Sequence, residues 1–380
     1  MNSSPTSRKQ FRIVLTAAAL AALVCVGSRP AHAAKIVIDD NTNVTLSALL
    51  QPQAAVAQNS APDGSAGTDF FLRRARLIVG GQLGKVVSFF VDTEQANLGK
   101  DGNWETSVFV QDAFLSLAPT DFLTIDAGMM LIPFTRHDLQ SAASLNGIDY
   151  HSKLILFPTG GNRIWRDAGV QVRADIAGGI VQVRGGIFNG VEGTPMNAMT
   201  MTPEKNASDL PRVSGHVRYN ILGGPEKGFF YPGISFSDHP IVSVGVGADW
   251  QKGAVMNGTA NVDHLGLAAD VYAEVPTVTD QEVIFQASGF KYDDGAGAAL
   301  TGLGFFTEAG YRISWIEPIV AFEHFNGDAA MDGGDFNGYH LGAAAFIDKH
   351  KTNVKLDVAV TKTGPGDNVT SAALQAQLYF

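Results

Sequence analysis

The sequence predicts an all-β protein, a transmembrane antiparallel β-barrel of sixteen strands, and three observations carry that prediction. The first is the end of the chain. Residues Ala372, Ala373, Leu374, Gln375, Ala376, Gln377, Leu378, Tyr379 and Phe380 put small or apolar side chains at every second position and finish on an aromatic. That pattern suits a strand with one face in lipid and the other in a wet lumen. The second is the start. Arg8, Lys9 and Arg12 precede an apolar run from Ile13 to Val26, and Ala31-His32-Ala33 offers a small-x-small cleavage site, so residues 1–33 read as a secretory signal peptide. At about 1.5 Å per helical residue the apolar run covers roughly 21 Å, too little for a hydrocarbon core of about 30 Å. The third is that no later stretch reaches the ~18 apolar residues of a transmembrane helix, so membrane residence has to be by strands.

Cleavage removes four basic and no acidic residues and takes the formal charge from −10 to −14. An acidic chain is a poor partner for nucleic acid. Cys25, the one cysteine, lies in the signal segment behind Ala22-Leu23-Val24, which lacks the small residue expected before a lipidated cysteine. The mature chain therefore has neither disulfide nor thiolate chemistry.

After a periplasmic lead-in at 34–42, the barrel is expected over 43–380. Its strands are expected at 43–58, 69–82, 85–95, 106–118, 122–132, 165–175, 179–188, 210–222, 241–252, 264–275, 281–292, 300–314, 317–326, 336–348, 353–363 and 369–380. An even count returns both termini to the same side, and sixteen strands enclose an aqueous channel where eight are filled by side chains. The alternation is clearest at 241–252, where Val242, Val244, Val246, Ala248 and Trp250 oppose Ser243, Gly245, Gly247, Asp249 and Gln251. It recurs at 264–275, with Leu265, Leu267, Ala269, Val271, Ala273 and Val275 against His264, Gly266, Ala268, Asp270, Tyr272 and Glu274. A soluble sandwich has the same period with its apolar face inward; the aromatic terminus and the even count favour the barrel. Lys291, on an outward parity, has to sit at the interface and snorkel.

Two connections are long. Residues 133–164, after the fifth strand, carry Arg136, His137, His151, Lys153 and Arg163 against Asp138 and Asp149. Unstructured loops of that length are usually functional. Residues 223–240 fall on the side where turns are short, and their Phe229-Phe230-Tyr231 suits an interfacial aromatic girdle.

Five ordered landmarks make a family resemblance specific: Phe71-Leu72-Arg73-Arg74-Ala75-Arg76-Leu77, Gln111-Asp112-Ala113-Phe114, Pro133-Phe134, Arg166-Asp167-Ala168-Gly169-Val170-Gln171 and Gly186-Ile187-Phe188-Asn189-Gly190. Together they resemble the phosphate-selective porin O and P family of bacterial outer-membrane channels, over nearly the whole mature chain from about Asn43. The resemblance implies a sixteen-stranded, trimeric porin of the Gram-negative outer membrane with anions such as phosphate as favoured solutes. In general porins the loop after the fifth strand folds into the barrel and narrows it, and 133–164 has the matching position, so it is expected to fold inward as a constriction. The alternative is a loop that projects outward.

Strand parity turns Arg74, Arg76, Asp112, Arg173, Arg184, Arg212, His216 and Arg218 inward, making them the candidate pore-lining residues; Arg136, His137, His151, Lys153 and Arg163 are the candidates on the constriction loop. Inward acids gather later, at Asp249, Asp270, Glu274, Glu282, Glu308 and Glu323. Opposite signs on different walls would set a transverse field; pairing of the arginines with Asp167, Asp175 or Asp112 would cancel it. No catalytic constellation, cofactor or metal site is expected. His264, His324 and His340 lack ligand spacing, Asp328, Asp332 and Asp335 lack a calcium-loop pattern, and Gly245-x-Gly247 opens no helix and reads as a smooth lumen surface. The expected partners are small hydrophilic solutes, outer-membrane lipid, further copies in a homotrimer and, through Phe380, the insertion machinery. The competing class is a non-channel outer-membrane or secreted β protein with a structural or adhesive role.

Overall fold

The computed structural model describes residues 33–158, 165–193, 205–257, 260–298, 300–328 and 335–380. The signal segment with Cys25, the end of the 133–164 connection with Arg163, and Asp332 lie outside the described residues.

A short strand β1 (Ala34–Asp39) comes first, followed by β2 (Thr42–Ala57), β3 (Gly67–Leu83), β4 (Val87–Leu98), β5 (Phe109–Thr120), β6 (Leu123–Leu131), β7 (Arg166–Ile176), β8 (Val181–Phe188) and β9 (Arg212–Leu222). The second half holds β10 (Ile241–Asn257), β11 (Ala260–Val278), β12 (Gln281–Asp293), β13 (Gly302–Ile313), β14 (Ile316–Gly327), β15 (Phe336–Asp348), β16 (Thr352–Thr363) and β17 (Val369–Tyr379). Each strand from β2 onward pairs antiparallel with its successor, and β17 returns to β2 from Ser371↔Ala57 to Tyr379↔Leu49. The sixteen strands β2 to β17 thus close a ring without an edge, the arrangement that satisfies every ladder group where no water can. At about 3.3 Å per residue and a tilt of about 40°, a twelve-residue strand such as β4 covers about 30 Å. Phe380 continues the seam, with its N–H and carbonyl both paired to Ala48.

The sixteen expected strands correspond one for one with the ring. The largest displacement is in the β10–β11 hairpin, which runs on to Asn257 and starts again at Ala260. A register break between Gln251 and Val255, with Gly253 at φ 62°, interrupts the alternation there, so the pattern loses phase while the pairing continues. β1 folds back on β2, lies outside the ring and is exposed along its length.

The two faces divide as the alternation requires. Val246, Leu267, Leu303 and Leu341 are exposed on one face, while Asp249, His264, Tyr272 and Gln251 are buried on the other. In a closed ring the buried face is the inward one. Lys291 is on the exposed face two residues from the end of β12.

Connections alternate in length. On one rim β5 to β6, β11 to β12 and β13 to β14 are joined by two residues each, but β9 to β10 is joined by 223–240. The aromatic triplet of that connection is not in a girdle. Phe229 and Phe230 pack against Phe90, Phe114, Met130 and Phe188, and Tyr231 is buried. The residues around the triplet hydrogen-bond to inward side chains, which draws it into the ring.

Candidate pore-lining site

Two chain segments lie against the inward face. The first is 133–158. Its root is admitted by Gly247 on β10: a Cβ at that position would overlap the Phe134 carbonyl oxygen, so only glycine leaves the backbone room to approach. The hydroxyl of Ser214 donates to the Pro133 carbonyl at 3.0 Å, and the Phe134 ring packs with Phe290, Tyr292 and Phe306. Farther along, Gln140 donates to Gln286 on β12, Gln51 and Gln377 from the β2–β17 seam donate to the Ala142 and Ala143 carbonyls, and Lys355 on β16 donates to the carbonyls of Leu145 and Gly147. These partners lie on β9, β12, β16, β17 and β2.

Asp149 near the tip accepts from Arg73 Nε at 2.7 Å and from Arg74 at 2.5 Å. Burial opposes ionisation of this carboxyl, but the two guanidiniums outweigh it and hold its pKa well below the usual carboxylate range. Strict alternation would turn Arg73 outward. A bulge opposite Gln51 and Pro52 leaves Arg73 unpaired in the ladder, so two consecutive arginines reach one carboxylate.

His151 Nδ1 donates to Glu323 at 2.6 Å, with Nε2 3.5 Å from Glu308. Burial disfavours its charged form, yet the neighbouring carboxylates of Glu308 and Glu323 prevail and raise its pKa to about 9. His340 extends the chain, 3.6 Å from Glu323 and 3.1 Å from Asp357. His137 goes the other way. Burial, reinforced by neighbouring His151, lowers it to about 3, so it is neutral and its Nε2 accepts the His151 N–H at 3.1 Å. Burial likewise raises Asp138 to about 7, against hydrogen bonds from the Thr135 backbone and hydroxyl. Between residues 147–151 and strands β13 to β16 a cavity of about 70 Å³ remains, lined by Asp149, His151, Glu308, Glu323, His340 and Lys355 among others.

The second segment is 223–240. Glu226 accepts from Arg136 Nε at 3.0 Å and from its terminal nitrogen at 2.6 Å, and also pairs with Arg218. Arg184 donates to the Phe229 carbonyl at 2.5 Å and the Gly228 carbonyl at 3.1 Å. The guanidiniums of Arg184, Arg218 and Arg136 lie 4.1, 5.0 and 5.6 Å from the centre of the Tyr231 ring. Burial opposes protonation of Arg136, but Glu226 more than offsets it and raises its pKa.

Every described candidate can thus be placed. Arg74, Arg184, Arg212, His216 and Arg218 are buried inside the ring. Arg76 bonds Glu94 at 2.8 Å, Arg166 brackets Asp112 at 3.0 Å, Arg173 bonds Asp126 at 2.7 Å, Arg212 bonds Asp249 at 2.8 Å, and His216 meets Asp270 at 2.7 Å. Of the three acids suggested as arginine partners, Asp112 takes Arg166, Asp175 is hydrogen-bonded by Gln182, and the contacts of Asp167 include the Gly190 N–H. Arg173 and Arg212 reach acids on the adjacent strand two residues along, a diagonal that long side chains bridge, whereas Arg76 faces Glu94 directly across and Arg166 reaches past β6 to Asp112 on β5. Lys153 is exposed in a short helical turn. Arg73, Glu226 and Lys355 are participants that parity alone did not single out.

Comparison with known proteins gives the same architecture. The model of the phosphate-selective porin O and P family matches residues 48–211, which agrees with the landmarks in the first half of the chain. An anion-selective porin from Comamonas acidovorans is similar at 17% identity, covering 89% of this chain and 100% of its own, with a TM-score of 0.61. Salmonella typhi OmpF in complex with daunomycin is similar at 14% identity, 91% and 100% coverage and TM-score 0.61. The trimer form of in-vitro folded OmpT of Vibrio cholerae is similar at 12% identity, 90% and 100% coverage and TM-score 0.54. At such identities the likeness is one of fold. No curated protein sequence matches the chain.

Proposed function

We propose that this chain is a passive diffusion channel of the Gram-negative outer membrane for small hydrophilic solutes, working as a homotrimer. The observation that carries this reading is the closed sixteen-strand ring with an apolar exposed exterior and a polar interior, joined to the porin family match over residues 48–211. Fold and family point to a channel rather than an enzyme. The anion-selective relative and the trimeric form of OmpT lend support to solute passage and to trimerisation.

In this mechanism solutes enter between the longer loops, shed part of their hydration beside segment 133–158, and leave on the short-turn side, where a cavity of about 690 Å³ opens near Phe236, Arg312 and Lys349. Segment 133–158 acts as the constriction; Arg74, Arg76, Asp112, Arg173, Arg184, Arg212, His216 and Arg218 line the route, with Arg136, His137, His151 and Lys153 on the loop. Anions such as phosphate are the solutes that the family suggests. The many arginine–carboxylate pairs argue for a modest preference, because a paired guanidinium presents little net field. A second reading, a plugged barrel with a structural role, is favoured by how densely the two segments pack the interior around Tyr231 and Tyr272.

Purified protein in a planar bilayer decides between them. Discrete conductance steps with a reversal potential displaced toward anions support the channel reading and its selectivity. Absence of steps from protein whose gel migration changes on boiling leaves only the plugged scaffold.

A further inference from the structure

The 223–240 connection is longer than its ends require. Leu222 pairs with Val242, so β9 and β10 already meet where the connection leaves and returns, and the other turns on that rim close with two to four residues. Instead the chain travels inward and meets segment 133–158. Tyr231 N–H donates to the Leu139 carbonyl at 2.9 Å, Ser141 N–H to the Tyr231 carbonyl at 3.0 Å, and Ile234 N–H to the Ser144 carbonyl at 3.2 Å. This is a short parallel ladder between two segments that enter from opposite rims, with Gln140 and Tyr231 as its bridge. Gly233 is needed for the approach, since a Cβ there would stand 2.7 Å from Leu145 Cα. Glu274 anchors the return limb by accepting the N–H groups of Ser235 and Ser237 at 2.7 and 2.8 Å.

Among the described residues, the side-chain clamp between the segments that is both charged and bidentate is Glu226 on Arg136, and Arg218 on the wall holds the same carboxylate. We propose that residues 225–236 form an internal strap that shares the lumen with segment 133–158, and that Glu226 is the positioning residue that fixes the constriction through Arg136. Pore calibre is then set by two segments, one from each rim. This rests on the channel reading and adds to it a determinant that loop length alone would assign to 133–158. A bidentate, desolvated carboxylate–guanidinium pair fixes orientation as well as distance, which a lone backbone ladder does not.

The test compares single-channel conductance of the full chain with that of two variants, each checked for assembly by its heat-dependent gel shift. Replacing residues 225–238 by a short glycine-serine turn clears one of two comparable obstructions, and conductance, which follows open area, should rise about twofold. Glu226→Gln should raise conductance less and add slow current fluctuations. If Glu226 acts through Arg136, Arg136→Gln should produce the same change, and the double variant should match either single one instead of summing them. Unchanged conductance in the assembled turn variant overturns the strap, and additive effects of the two substitutions overturn the positioning role. Should the turn variant fail to assemble, the Glu226 and Arg136 cycle decides alone. A wild-type protein without conductance refutes the channel reading itself, an outcome separate from all of these.

Discussion

Replacing His151 by glutamine tests whether segment 133–158 is held by a charged imidazole. His151 bridges Glu323 and Glu308 at 2.6 and 3.5 Å, and its other neighbours are His137 and Asp149 on its own segment, His340 on β15 and Lys355 on β16. Its pKa rises from 6.5 to about 9 on folding. A raised pKa contributes stability that is fully present below the unfolded value and disappears as pH climbs through the folded one. The shift corresponds to about 3 kcal/mol at ~1.4 kcal/mol per pH unit, and the low exposure of the imidazole and both carboxylates leaves no reason to discount it for solvent. The folded gel band should therefore persist to a higher temperature in wild type than in His151→Gln at pH 6, and the gap should close progressively until it vanishes near pH 10. Because barrel unfolding is usually irreversible, the comparison is made at one heating rate. A gap of constant size from pH 6 to pH 10 refutes the argument, since it means that His151 is neutral in the folded protein.

Asp149→Asn should loosen the tip of the same segment. An ion pair broken in full burial costs about 3–5 kcal/mol, but the Asp149 side chain is 32% exposed, so about 1–2 kcal/mol is expected, read as faster proteolytic cleavage within 145–158 and noisier conductance. Its depressed pKa places this contribution above the usual carboxylate range and removes it only in strong acid, so wild type should show no such loosening at pH 5; equal cleavage rates in both proteins would discard the tether. Deleting Phe380 removes two seam hydrogen bonds to Ala48, about 1 kcal/mol each, together with the terminal aromatic, and should lower outer-membrane yield; undiminished yield would separate the terminal residue from assembly.

The ring was legible because a strand in a barrel wall has a single question to answer, which face is wet, and a period of two answers it residue by residue. Where the ladder stays regular, as from Ile241 to Gln251, the inward set Ser243, Gly245, Asp249 and Gln251 follows directly. Where it breaks, parity fails: Arg73 escapes it through a bulge, and the β10–β11 hairpin outlasts its alternation past Gln251. Parity also gives a face but no height or azimuth. It placed Arg212 and Arg218 inside without revealing that Asp249 and Glu226 would meet them.

The interior follows a different rule from the wall. Neither inserted segment has a periodic pattern; what admits them is backbone room at Gly247 and Gly233 and a set of cationic side chains aimed at carbonyls and carboxylates, as with Arg184 on Gly228 and Phe229 and Lys355 on Leu145 and Gly147. Such donors carry no sequence spacing because their partners are more than forty residues away, and in the case of Lys355 more than two hundred. The same arrangement reconciles an acidic chain with an arginine-bearing wall. Each guanidinium on β3 and on β7 to β9 is matched locally by a carboxylate, an aromatic face or a carbonyl, so the net charge says little about the field a solute meets. Under the proposed strap, what that solute meets is set where the two segments touch, and there Arg136, Arg184 and Arg218 gather around Tyr231 with Glu226 holding Arg136 and Arg218, so a single substitution at Glu226 would leave those two guanidiniums without their acid.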